Sequence, residues 1–270
     1  MQNPTDGSVT RLTNAAAFAK DIEKCATRYV LSDELTRLCT ALAYSKGART
    51  LDCTDLLHVP AERIWIEWTE APWRNELAGY GFKGAADVSA GRRGIFIESD
   101  VDGRQGLMRT FWTSGDSESD VRSSSMEAYF DFDTQEGDDP GTFDRPQRQS
   151  FFVSDSAAGK ADILRRCFRF SFERSWQDYY DGGQLSAVQL AAISHHALGS
   201  IAIDIPVVLA FCLLLSTRPN LPRRPLMLER LNRARSKSGK SRLLDQIEVF
   251  SPLLPEYQTS NTGSSGVGRR

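Results

Sequence analysis

The most constraining feature of this 270-residue chain is the run from Gly199 to Ser216, in which eighteen residues carry one charge, Asp204, and one proline, Pro206. A stretch this apolar folds either across a lipid bilayer or as a helix wrapped on all sides in a protein core. A carboxylate near mid-span costs about 3 kcal/mol on insertion scales. Pro206 removes a helix hydrogen bond, and no second span exists to pair with Asp204. The expectation is a central core helix and no membrane association.

The remaining chain reads as helices, then strands, then helices. Ala15, Phe18, Ile22, Cys25 and Tyr29 recur at helical spacing with Asn14 placed to cap, and a second helix starts at Ser32 with Leu35, Leu38 and Leu42 inward. Ile64, Ile66 and Trp68 alternate with Arg63, Trp65 and Glu67, which is strand spacing. Segments 95–98, 107–113 and 127–133 are further strands between turn-rich pieces, and 151–153 closes the sheet. Leu164, Phe168, Phe172, Trp176 and Tyr180 then form one ridge of a long helix. Past Pro219, Pro222 and Pro225, residues 226–235 form a basic amphipathic helix with Leu228 and Leu231 inward. Ile247 and Val249 mark a short strand.

This order predicts α+β, a helical layer packed on an antiparallel sheet, rather than an alternating doubly wound fold. The boundaries are one domain over 1–250 (helices 14–47, sheet 62–153, helices 156–238) and a flexible, disordered C-terminal tail over 251–270.

Five scattered cysteines without a CxxC pair point to reduced thiols, and the N-terminus lacks a secretory pattern, so a cytoplasmic location is expected. The formal net charge of -2 hides two opposed blocks. Residues 98–144 hold thirteen acidic side chains against three arginines, whereas 218–242 hold nine basic ones against Glu229 alone. Blocks like these mark an interaction surface or attract each other within a fold.

No pattern identifies a catalytic group or a cofactor. Ser238-Gly239-Lys240-Ser241 lacks the upstream glycine of a phosphate-binding loop, because Ala234 stands there. Adjacent His195 and His196 point about 100° apart on a helix and cannot share a metal. Asp131 and Asp133 would share one face of a strand over 127–133, with Phe130 and Phe132 on the other. With Glu136, Asp138 or Asp139 they compose a divalent-cation site of the kind metal-dependent phosphodiester hydrolases use. The solvent face of an edge strand running into an acidic loop explains them more simply.

The densest cationic group is Arg230, Arg233, Arg235, Lys237, Lys240 and Arg242. Positions 230, 233 and 237 share a helix face, which suits contacts to phosphates or to an acidic protein partner. No aromatic residue interleaves with these charges, so a stacking platform for single strands is not indicated.

Segments 211–218, 228–240 and 243–249, with the pattern Leu-Asn-x-Ala-Arg-x-x-x-Gly-Lys at 231–240 and a following strand that carries Glu248, resemble uncharacterised proteins of alphaproteobacteria and their phages or prophages. The resemblance covers about 40 residues and implies a mobile-element origin without implying chemistry. Similar proteins continue into a His- and Arg-rich segment that this chain lacks. Together these readings give a non-enzymatic accessory protein of phage type that binds nucleic acid or an acidic partner. The alternatives are a metal-dependent hydrolase built on Asp131 and Asp133, and an interaction protein whose acidic and basic segments pair.

Overall fold

The computed structural model describes residues 20–44, 53–81, 91–114, 117–134, 162–173, 178, 181–183, 186–226, 228–238 and 244–252. Strand β1 (Thr27–Leu31) leads into α1 (Asp33–Tyr44), and a 3-10 turn (Thr54–Leu56) precedes β2 (Arg63–Thr69) and α2 (Glu70–Gly79). Strands β3 (Arg92–Ser99), β4 (Gln105–Ser114) and β5 (Ser117–Asp131) follow, then α3 (Asp162–Cys167) and β6 (Phe168–Phe172). The long α4 (Ala187–Thr217), β7 (Arg223–Pro225), α5 (Glu229–Lys237) and β8 (Ile247–Val249) complete the order.

The strands form one eight-stranded sheet, ordered β6-β5-β4-β3-β2-β1-β8-β7. From β2 through β6 each strand runs antiparallel to the next, as does β7 against β8, whereas β1 is parallel to both β2 and β8. The fold is therefore α+β with helices on a mixed sheet. Parallel pairing requires a crossover, which α1 provides between β1 and β2. Ser32 caps that helix by accepting from the Leu35 amide at 3.2 Å, with Asp33 and Glu34 in its first turn.

One face of the sheet builds the main core. Ile64, Ile66, Ile95, Ile97, Met108, Phe130 and Phe170 project from it and are fully or almost fully buried. Helix α4 covers this face, and its residues Ile201, Ala202, Ile205 and 207–212 are at most 1% exposed. A core helix buried all round needs no polar stripe, which accounts for its apolar composition. Its segment Ala197–Thr217 is long and apolar enough to cross a membrane by length and composition, and most of it is buried within the protein.

Asp204 is the polar exception, 1% exposed. Nη1 of Arg93, from β3, donates to its two carboxylate oxygens at 2.6 and 2.7 Å, and Nη2 reaches Ser200 Oγ at 3.2 Å. Glu70, at the start of α2, joins Arg93 at 3.3 Å and accepts from Arg74 at 2.7 Å. The Arg93 guanidinium also lies 4.6 Å from the Trp73 ring centroid. Burial works against the charge on Arg93, but Asp204 and Glu70 outweigh it and hold the group protonated. Burial likewise pushes the Asp204 carboxyl upward, against the pull of Arg93.

On the opposite face Trp65, Phe96, Phe111 and Cys25 make a smaller cluster under Ile22. Gly94 makes this packing possible, since a Cβ there would lie 2.2 Å from the Trp65 ring. Gly103, at φ +69°, turns the chain between β3 and β4, where a side chain would strike the Val59 carbonyl.

Several expectations need correction. The first helix does not continue to Tyr29: residues 20–23 are helical, but β1 begins at Thr27 with Tyr29 and Leu31 facing the core. The ridge from Leu164 does not form one long helix either, because α3 ends at Cys167 and Phe168, Phe170 and Phe172 alternate along β6. The sheet is consequently mixed and extends beyond 62–153 on both sides. Helix α2, unforeseen, lies between β2 and β3. Positions 14–19, 151–153, Trp176, Tyr180 and the tail from 253 lie outside the described residues.

Candidate functional site

Helix α5 connects the two strands of the β7–β8 hairpin at one edge of the sheet. Backbone bonds hold its base, with the Leu226 amide donating to the Gln246 carbonyl at 2.9 Å and Phe250 to Pro222 at 2.9 Å. Glu229 in the first turn and Arg235 and Lys237 in the last complement the helix dipole. Glu229 also meets Arg233 one turn on, at 3.6 Å.

None of the α5 residues is buried. Leu228, Asn232 and Arg235 are half-buried and share one side of the helix, which is the side turned to the protein. At 100° per residue, Arg230, Arg233 and Lys237 fall within about 60° of one another on the opposite side. All three are exposed, Arg233 with 80% of its side chain accessible. The expectation that Leu231 points inward is wrong: it is 50% exposed, because the helix rests on Leu228–Asn232–Arg235 instead. The structure thus groups three of the predicted cations and turns Arg235 away from them; Lys240 and Arg242 lie outside the described residues.

Strand β7 adds exposed Arg223 and Arg224, six and five residues before α5. Arg224 pairs with Glu248 and lies 5.1 Å from the Phe250 ring centroid, which fixes it on the sheet edge. Three described carboxylates of the acidic stretch form local ion pairs. Glu98 pairs with Arg63 at 2.7 Å, Glu127 with Arg109 at 2.7 Å, and Asp133 with Arg104.

Asp131 and Asp133 do not share a strand face. Strand β5 ends at Asp131, whose Oδ1 accepts from the Asp133 amide at 2.9 Å and so shapes the turn that follows. Arg104 holds Asp133 and also donates to the carbonyls of Thr54 and Leu57 at 2.8 and 2.7 Å, fastening that loop to the sheet end. Among the described residues no group of three His, Cys, Asp or Glu side chains is arranged to hold a metal ion. Glu136, Asp138 and Asp139 lie outside them. His58 is within hydrogen-bond distance of Ser216, at 3.2 Å.

A groove of about 440 Å³ on the second sheet face runs beside Leu228, with Trp65, Phe111 and Val121 among its walls. The Trp65 indole donates to Glu67 at 2.9 Å, and Glu67 pairs with Arg92. Sequence reading missed this feature because its walls come from β2, β3, β4, β5 and the start of α5. Trp65 and Phe111 are each only 6% exposed, and Leu228 is on the inner side of α5, so these rings do not border the outward cationic face. Compared with protein-family models, curated proteins and solved structures, the chain finds no match, and the geometry of α5 and its surroundings is what bears on function.

Proposed function

We propose that this chain is a non-enzymatic, cytoplasmic accessory protein of phage or prophage type that binds nucleic acid through its phosphates. The observation that carries the reading is the outward face of α5, where Arg230, Arg233 and Lys237 stand exposed opposite the helix's anchoring side. Arg230 and Lys237 are about 10 Å apart along the axis, which lets the group meet successive phosphates of one backbone. Exposed Arg223 lies six residues before the helix starts. Arginine and lysine in this setting neutralise backbone charge without reading sequence. The prophage setting draws on the resemblance over 211–249.

Fluorescence anisotropy at low salt, with labelled duplex and single-stranded oligonucleotides, tests the reading. The triple variant Arg230→Gln, Arg233→Gln, Lys237→Gln should lose at least about ten-fold in affinity, while Arg63→Gln on the sheet should not. Equal binding by wild type and triple variant would overturn the reading. So would no nucleic-acid binding together with capture of an acidic polypeptide such as polyglutamate.

A further inference from the structure

We infer that α5 seats in the major groove of B-form DNA, so that the ligand of this surface is duplex DNA rather than single strands or duplex RNA. The inference rests on the nucleic-acid reading above and narrows it.

Shape comes first. Helix α5 has nine residues and is about 13 Å long. With no residue buried, it stands on the sheet edge as a convex ridge. The B-DNA major groove is about 12 Å wide and admits an α-helix, whereas the A-form RNA groove is deep, narrow and closed to side chains.

The side chains on the outward face agree with that seat. Arg230, Arg233 and Lys237 descend one side over about 10 Å, roughly three base-pair steps. Arginine and lysine are the residues that reach guanine O6 and N7 as well as phosphates. Small, exposed Ala234 lies about 40° from Arg230 on the same side of the helix, a low apolar spot able to meet a thymine methyl group. Strand β7 ends four residues before α5 begins, and its exposed Arg223 is a candidate for a flanking backbone contact, whereas Arg224 is held by Glu248.

Single strands are disfavoured for a separate reason. Their binding draws on exposed aromatic platforms. The outward face of α5 has no aromatic residue, and the nearby Trp65 and Phe111 are packed into the sheet on the helix's inner side.

The experiment uses the full chain and four labelled ligands of equal length and sequence: DNA duplex, RNA duplex, single-stranded DNA and single-stranded RNA. The DNA duplex should bind tightest, by about ten-fold or more over duplex RNA at the same salt. In a mixed-sequence DNA pool, guanine N7 methylation in the major groove should interfere with binding, and adenine N3 methylation in the minor groove should not. Ala234→Glu on the exposed ridge should weaken DNA binding about as much as Arg233→Gln, with the melting temperature of each variant confirming the fold.

Equal, salt-sensitive binding to all four ligands, lost in the triple variant, would overturn the groove seat and leave the phosphate reading standing. Indifference to N7 methylation would also overturn the seat. Failure to bind any ligand at low salt would overturn both.

Discussion

Arg93 of β3 and Asp204 of α4 form a buried ion pair that spans 111 residues of sequence and joins the sheet to the middle of the core helix. It explains how an otherwise apolar helix carries a charge: one guanidinium nitrogen serves both carboxylate oxygens, while Ser200, Glu70 and Trp73 satisfy the rest of Arg93.

Removing Asp204 leaves the buried Arg93 with only Glu70, at 3.3 Å and shared with Arg74, as its counter-charge. Asp204→Ala should therefore lower unfolding stability by about 3–5 kcal/mol. Replacing both partners with apolar residues, Arg93→Met and Asp204→Leu, should cost less than the single change, because both charges of the pair go together and Glu70 keeps Arg74. Urea titration of the two variants measures the difference, and equal losses would contradict the account.

Gly94 and Trp65 should behave as a coupled pair. Gly94→Ala places a methyl where the indole now lies, at a cost of about 1–3 kcal/mol. Combining it with Trp65→Leu should recover part of that loss relative to the sum of the single changes, since the second substitution frees the space. Strict additivity in a double-mutant cycle would show that the two do not touch.

The thiols divide sharply. Cys53 is exposed, while Cys25, Cys39, Cys167 and Cys212 are buried. Burial pushes Cys25 and Cys167 up to about 11 and Cys212 up to about 12. A thiol reagent at neutral pH should modify one cysteine quickly and the other four only on unfolding. The sign of the pH dependence follows from the raised values. Below about pH 9 each thiol is protonated in both states and stability is unaffected. Above it the unfolded chain loses protons that the fold retains, so stability falls between about pH 9 and 11, by up to about 3 kcal/mol for each such thiol. Rapid native labelling of several thiols, or stability rising across that window, would contradict this.

Arg104 should matter more than the acid it holds, Asp133. Arg104→Ala removes the ties to Thr54, Leu57 and Asp133 together and should cost about 2 kcal/mol or more. Asp133→Asn should cost less, because the bonds from Arg104 to the two carbonyls remain. Adding Mn²⁺ should leave the melting temperature unchanged in the wild type. A rise abolished by Asp131→Asn with Asp133→Asn would reinstate a cation site there.

Much of this fold is readable from side-chain period. Ile64, Ile66 and Trp68 announce β2, Ser32 announces α1, and the solitary Asp204 marks α4 as a helix needing a partner. The errors share one cause. Leu164, Phe168 and Phe172 are four apart, a spacing that suits both a helix and the period-two face of a strand, and the intervening Phe170 decides for the strand. Tyr29 likewise continues a helical ridge from Ile22, yet the Thr27–Leu31 segment is claimed by pairing with β2 and β8, which no local pattern reveals. At the functional surface, the shared face of Arg230, Arg233 and Lys237 follows from helical spacing. Which side rests on the protein does not, and Leu231 misled because Leu228, Asn232 and Arg235 form the anchor.

The most direct test of the central claim is the salt dependence of duplex binding by the wild type and by the Arg230→Gln, Arg233→Gln, Lys237→Gln variant. Each phosphate neutralised contributes about 0.9 to the slope of log affinity against log salt. The account predicts a steep wild-type slope that becomes shallower by about 2.7 in the variant when all three side chains meet phosphates, and by less for each one that meets a base edge. Identical slopes would show that the outward face of α5 holds no phosphate and would contradict the account.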